Sequence, residues 1–249
     1  MTNLALVGYG KMGHMIYEQA KEKGYSVEAI VDPNTNNFLK SLEDLRNKNI
    51  DVCIDFSRPD AAFDNIKKYA QIGINAVVGT TGWYDKMSEV ENLVAEANIG
   101  MIFGANFSVG MNIYYQILEQ CIGLFNKLPE YDIYGYESHH RQKADSPSGT
   151  AKEICSLVLD KSVKKESIVY DKLDRAPKHS ELHFASIRGG SIPGTHVLGF
   201  DSFADSIEIK HTARNREGFA SGALLAANWI KGKKGFYNFK SIFGEIINA

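Results

Sequence analysis

The chain has 249 residues, 44% of them hydrophobic and 23% charged, with a formal net charge of -2 and a pI near 6.4. That profile suits a soluble globular protein with room for two modest domains and excludes a disordered or fibrous chain. The slight negative charge argues against a general nucleic-acid surface, so Lys231, Lys233 and Lys234 read as a solvated turn, and no apolar run reaches the roughly 20 residues that span a bilayer.

Asn3 to Val7 reads as a short buried strand, Gly8-Tyr9-Gly10-Lys11-Met12-Gly13 matches G-x-G-x-x-G, and Met15 to Lys23 has helical composition before Gly24 closes it. Ser26 to Val31 is a second strand, ending in Asp32, 19 residues after Gly13. Strand, glycine turn, helix, strand and acid follow in the order of a dinucleotide-binding unit, where the acid accepts from the ribose hydroxyls. Gly8 allows the tight turn, Gly10 lets a pyrophosphate approach the backbone, and Gly13 lets the helix pack close to the strand. The start of the chain has no basic region or apolar signal core, so the protein is expected in the cytoplasm. Cys53, Cys121 and Cys155, odd in number and set in apolar contexts, are expected to be reduced.

Strands at Asp51 to Phe56, Asn75 to Val78 and Gly100 to Phe103 then alternate with helices at Pro59 to Ile72 and Tyr84 to Ala97, which builds a parallel sheet. Ligands of such sheets lie beyond the carboxyl ends of the strands. Gly79-Thr80-Thr81-Gly82 and Gly104-Ala105-Asn106-Phe107 are therefore expected in the same crevice as the glycine turn.

From about Ser108 the rhythm changes. Met111 to Leu128 is a long amphipathic helix, Thr150 to Leu159 another, and Leu182 to Ile187, Thr195 to Phe200 and Ser206 to Thr212 alternate as strands of an antiparallel or mixed sheet. Phe219 to Ile230 is an Ala-rich helix, followed by the turn from Lys231 to Gly235 and a short last element.

Between the two helices, Tyr136 to Ala151 gathers His139, His140, Lys143 and the helix start Pro147-Ser148-Gly149-Thr150. Histidine titrates nearest neutrality, lysine supplies positive charge or a proton, and a helix start turns free N–H groups toward an anion. The grouping points to acid chemistry on an anionic small molecule. Glu137 and Asp145 stand close by, but no third His or Cys lies at ligand spacing and neighbouring strand side chains face opposite ways, so no metal is expected.

Together, Gly8 to Gly13, Asp55-Phe56-Ser57-Arg58-Pro59, Gly79 to Gly82, Asn106-Phe107-Ser108-Val109-Gly110-Met111-Asn112 and the run from His139 to Ala151 resemble the dihydrodipicolinate reductase (4-hydroxy-tetrahydrodipicolinate reductase) family of bacterial and plant lysine biosynthesis. The resemblance runs from Asn3 to near the C-terminus. Its specific part is His-His-x-x-Lys-x-Asp-x-Pro-Ser-Gly-Thr-Ala, from which Ser146 departs only by replacing the usual alanine.

The resemblance implies an α/β fold: a Rossmann-type doubly wound parallel sheet, residues 1–108 with 216–249 returning to it, and a second α+β domain with a mixed open sheet, residues 109–215, for substrate binding and assembly into a homotetramer. It implies hydride transfer from NADH and/or NADPH to a cyclic imine dicarboxylate, giving tetrahydrodipicolinate on the diaminopimelate route to lysine. His139 is then the general acid, Lys143 assists proton delivery, and His140, Gly149 and Thr150 hold substrate carboxylate. The cofactor is implied to lie against Gly8, Gly10, Lys11, Met12, Gly13, Asp32, Gly79, Thr80, Thr81, Gly104, Ala105, Asn106, Phe107 and Arg216. Asp32 repels a 2′-phosphate and Lys11 attracts one, so both cofactors are expected to serve, NADH at least as well. A semialdehyde dehydrogenase would need a nucleophilic cysteine, and none of the three sits in an electropositive turn. A nucleotide sensor would leave His139 to Thr150 without purpose.

Overall fold

The computed structural model describes residues 1–170 and 172–248. In chain order the elements are β1 (Asn3–Val7), α1 (Lys11–Glu22), β2 (Ser26–Val31), β3 (Val52–Asp55), α2 (Pro59–Ile72), β4 (Asn75–Val78), α3 (Met87–Glu96), β5 (Gly100–Phe103), α4 (Val109–Phe125), β6 (Asp132–His139), α5 (Gly149–Lys161), β7 (Ser167–Tyr170), β8 (Glu181–Arg188), β9 (Thr195–Asp201), β10 (Ser206–Thr212), α6 (Glu217–Ile230), β11 (Gly235–Asn238) and α7 (Phe239–Ile247). Short 3-10 turns cover Leu42–Leu45 and Tyr84–Lys86. The chain divides into two compact units, Met1–Val109 with Arg216–Ala249, and Gly110–Asn215.

The first unit is built on a six-stranded sheet in the order β11-β5-β4-β3-β1-β2, every neighbouring pair parallel. Its inner strands β3, β4 and β5 are buried along their whole length, as a sheet covered on both faces requires. One core layer joins Ile16 and Ala20 of α1 to Leu4, Leu6, Ile54 and Val77 and to the small residues Ala220, Ala223, Ala226 and Ala227 of α6. The other sets Ile66 and Tyr69 of α2 and Val90 and Val94 of α3 against Ala5, Val7, Cys53 and Val78. The strand order reverses direction at β1, between β2 and β3, and that reversal opens a crevice at the carboxyl ends of these three strands.

α1 begins at Lys11, four residues earlier than composition indicates, because Gly10 is itself the N-cap and the glycine motif supplies the first turn. The segment read as one helix from Tyr84 to Ala97 starts as the 3-10 turn and becomes α-helical at Met87. β11 and α7 replace the undifferentiated terminal segment.

The second unit is a five-stranded mixed sheet, order β10-β9-β6-β8-β7, with β6 antiparallel to β9 and parallel to β8. One face is covered by α4 and α5 through Leu118, Ile122, Ile154 and Val158, which pack on Ile133, Leu182, Phe184 and Phe200. β6 alternates strictly, with Ile133, Gly135, Glu137 and His139 on the buried face. Among the described residues no helix is long and apolar enough to cross a membrane, and the three cysteines are free.

Candidate active site

In the first unit, Gly8 adopts φ +83°, and a Cβ there would stand 2.7 Å from the Phe56 carbonyl oxygen, so the tight turn admits only glycine. A Cβ on Gly13 would meet the Gly8 carbonyl oxygen at 2.3 Å; none on Gly10 would meet anything within 4 Å. Gly13 is thus a packing glycine, and Gly10 keeps an open approach to the backbone. Asp32 accepts from Tyr9 N at 2.8 Å through Oδ2 and from Asn34 N at 2.9 Å through Oδ1, which ties the glycine turn to the end of β2. Each carboxylate oxygen keeps further acceptor capacity for a ribose hydroxyl.

Gly8, Gly10 and Asp32 line a cavity of 510 Å³, together with Tyr9, Phe56 and Ser57. Gly10, Lys11, Met12, Gly79, Thr80, Thr81 and Arg216 line a second of 330 Å³, with Phe56 and Ser57 again in its wall. Lys11 therefore belongs to the second cavity and not to the one that holds Asp32, whose lining cations are Lys40, Arg58 and Lys68. The Thr80 hydroxyl is engaged by Asp55 Oδ1 at 2.9 Å; the same buried carboxylate takes Ser57 N, Asn65 Nδ2 and Tyr69 Oη, so Asp55 fixes both loops that wall the cavities.

Gly104, Ala105, Asn106 and Phe107 line neither cavity. The Phe107 ring is 1% exposed, 4.5 Å from Phe239 and 5.9 Å from Phe56 between centroids, so it is a core residue and any binding role falls to its backbone. Tyr9, Phe56 and Ser57 are lining residues that sequence reasoning assigned no site role; the only signal for the last two was their place in the Asp55 to Pro59 motif.

In the second unit, Glu137 and His139 point the same way from β6, and β9 sets His196 directly opposite Glu137. β10 continues the row with His211 opposite His196, and β8 sets Arg188 opposite His139. The fully buried Glu137 carboxylate accepts from Ser148 N and Arg188 Nη2, each at 2.9 Å, and from Ser148 Oγ, while His196 Nε2 lies 3.3 Å away. His139 Nδ1 lies 3.4 Å from the same carboxylate but without hydrogen-bond alignment. Burial opposes the Glu137 charge, but the bonds from His196, Ser148 and Arg188 outweigh it and hold the carboxyl far below the usual carboxylate range.

Ser148 also caps α5, its Oγ accepting from Ala151 N at 3.1 Å, so the helix opens with Gly149 and Thr150, whose N–H groups precede the capped one. Lys143 extends its ammonium to Asp145 at 2.7 Å and donates its backbone N–H to the His140 carbonyl. His140 is half-buried with Nδ1 unpartnered. Gly194, at φ +151°, makes room for the His139 ring, since a Cβ there would be 3.0 Å from Nε2. Glu137, His139 and His196 put one carboxylate oxygen and two ring nitrogens within 4.8 Å of one another, a grouping that spacing along the chain does not show. The Glu137 oxygens, however, already serve protein donors.

Burial pushes the His139 imidazole down to about 4, with Glu137 working against it and His196, Lys143 and Arg188 reinforcing it. An NMR titration of the ligand-free protein is expected to give that ring a midpoint near 4; a midpoint at 6.5 would remove burial as the dominant influence. Because the unfolded chain takes up this proton near 6.5 and the native ring only near 4, its contribution to stability is intact above 6.5 and lost as pH falls through that window.

A doubly wound parallel sheet with a glycine turn, an acid after the second strand and cavities at the strand ends, joined in one chain to a unit carrying a buried histidine cluster, defines a nicotinamide-dependent oxidoreductase. Family models described as dihydrodipicolinate reductase, N-terminus and C-terminus, match residues 2–107 and 110–243. The chain belongs to the dihydrodipicolinate reductase family. It is 36% identical to the 4-hydroxy-tetrahydrodipicolinate reductase of Christiangramia forsetii across 98% of each chain, and 38% identical to that of Methanoregula boonei across 80% of this chain and 77% of the other. A solved dipicolinate-bound dihydrodipicolinate reductase from Paenisporosarcina sp. TG-14 shares the fold at a TM-score of 0.80, 22% identity, over 97% of this chain and 99% of that one.

Proposed function

We propose that this chain is a 4-hydroxy-tetrahydrodipicolinate reductase, reducing the cyclic imine dicarboxylate to tetrahydrodipicolinate on the diaminopimelate route to lysine. The observation that carries the reading is the run from His139 to Ala151, folded as a strand end, a loop and a helix start beside a buried Glu-His pair. The first unit, residues 1–108 with 216–249, binds the dinucleotide, and residues 109–215 bind the substrate. Gly8, Gly10, Lys11, Met12, Gly13, Asp32, Gly79, Thr80, Thr81, Gly104, Ala105, Asn106, Phe107 and Arg216 hold the cofactor, and the open approach at Gly10 between two cavities fits a pyrophosphate. When bound, the nicotinamide supplies the hydride.

The chain's own residues do the rest. His140 and the first-turn N–H groups at Gly149 and Thr150 bind the substrate carboxylates, using the partial positive charge of the helix start. His139 is the proton donor to the ring carbon, and Lys143 steadies negative charge and helps deliver the proton. A ring held near 4 is neutral at working pH in the free protein. A dianionic substrate beside it adds the opposite charge that raises its proton affinity, so the acid forms where it is used.

The reading is tested by absorbance at the nicotinamide band with the imine generated in situ: oxidation that proceeds equally without the imine would overturn it. For the cofactor, Asp32 favours NADH by accepting from the ribose and repelling a 2′-phosphate. Asp32→Asn is expected to shift the ratio of kcat/KM toward NADPH by about tenfold or more. An unchanged ratio would put the ribose elsewhere. Assembly as a homotetramer is supported by the open second sheet, whose edge strands β7 and β10 have no neighbour beyond them among the described residues, and a cytoplasmic location by three free thiols. Sedimentation would test the assembly.

A further inference from the structure

The proposed reaction gives no part to the buried carboxylate of Glu137 in the second unit. Glu137 is 0% exposed, and its two oxygens take Ser148 N, Ser148 Oγ and Arg188 Nη2, with His196 Nε2 at 3.3 Å and His139 Nδ1 at 3.4 Å. We propose that Glu137 is a positioning residue for the reduction, setting its charge beside the His139 ring on one side and anchoring the first turn of α5 on the other. The inference rests on His139 being the proton donor and on Gly149 and Thr150 binding carboxylate.

Two halves of the chemistry meet at this carboxylate. Toward α5 it anchors the cap residue itself, so the orientation of the N–H groups that follow depends on Glu137 as well as on the helix. Toward β6 it lies beside the nitrogen of His139 that does not face Gly194, leaving Nε2 as the edge from which a proton can leave. Its negative charge offsets part of the cost of a proton on that buried ring. His196 and Arg188 fasten the carboxylate from the neighbouring strands, and a charge held by so many donors cannot swing away when the ring changes state.

The charged and titratable groups that face His139 are Glu137 on its own strand, Lys143 in the following loop, Arg188 on β8 and His196 on β9. His211 of β10 faces His196, Cys155 of α5 faces Glu137, and Asp145 is paired with Lys143. Of these only Glu137 brings an anion to the ring, so its removal and the removal of a cation must act with opposite signs.

The experiment is the pH profile of kcat for three variants of the full chain with the in-situ substrate. Activity that needs protonated His139 falls on the alkaline side of that group's apparent pKa. Glu137→Gln keeps the size of the side chain and removes its charge; it is expected to lower kcat by about tenfold or more and to move the alkaline limb down by about one pH unit. Arg188→Gln is expected to move the limb up, and Glu137→Asp to keep its position while lowering kcat by only a few fold. A purely structural Glu137 would lower activity with no displacement of the limb, and that result overturns the inference, as does a displacement of the same sign in Glu137→Gln and Arg188→Gln. If Glu137→Gln does not fold, Arg188→Gln and Glu137→Asp still decide: a limb that moves down in Arg188→Gln, or moves by a unit in Glu137→Asp, overturns it. A His139→Gln variant that retains the limb would instead remove the proton donor, and with it the reading on which this inference stands.

Discussion

His139→Gln is expected to lower kcat by about 10²-fold or more, the size associated with losing a positioned acid, while leaving cofactor affinity unchanged. Glutamine fills similar space and keeps a donor, so the loss reports proton transfer and not packing. The cavities that fit the cofactor lie wholly in the first unit, and His139 lies in the second. Lys143→Ala is expected to fall by a similar factor, because its ammonium is on the loop that follows His139 and Asp145 cannot replace its charge. Steady-state turnover beside fluorescence titration of NADH separates the two quantities. Near wild-type turnover in either folded variant would cancel that residue's role.

Substituting the motif glycines is expected to give two different failures. Gly13→Ala forces a Cβ to within 2.3 Å of the Gly8 carbonyl oxygen, a backbone atom that cannot rotate aside as the end of a side chain could. A cost of about 3 kcal/mol in chemical denaturation is expected, from overpacking alone. Gly10→Ala meets nothing within 4 Å, so stability should stay within about 0.5 kcal/mol, yet NADH should bind at least about tenfold more weakly, since the new methyl stands where the pyrophosphate must approach. If Gly10→Ala bound NADH normally, the pyrophosphate would have to run elsewhere; if Gly13→Ala were fully stable, the turn and helix would have to be able to part.

The first sheet was legible because its information is local. Short apolar runs ended by glycine or acid mark β1 to β5, and the Pro59 to Ile72 helix carries its own signals, a proline at its first position and Gly73 in the left-handed conformation after its end. The candidate site was legible only along the chain. His139, His140, Lys143, Gly149 and Thr150 lie within a dozen residues, but Arg188 and His196 reach Glu137 through strand pairing that has no trace in local spacing. The extent of β6 is not legible in the sequence, although the two histidines read as strand neighbours and Glu137 and His139 carry its alternation, because Gly135, Ser138 and the polar tyrosines dilute the apolar signal. β7 and β11 have four residues each, as β3 to β5 do, but none of theirs is buried, so they lack the core-facing apolar run that marks the inner strands.

The return of the chain to the first unit sets the order in which its parts can be completed during synthesis. β11 lies on the far edge of the sheet beside β5, and Asn75 in β4 spends its buried carboxamide on the carbonyls of Ile230 and Lys233 and on Gly100 N. Before those carbonyls leave the ribosome, the Asn75 amide donors have no native acceptor, at about 1–3 kcal/mol for a buried polar group, and the β5 edge is open to pairing with any passing strand. Residues 110–215 form a continuous unit and emerge in the meantime, so the nascent substrate unit can close while the older dinucleotide unit waits, unfinished, for the last turn of α6.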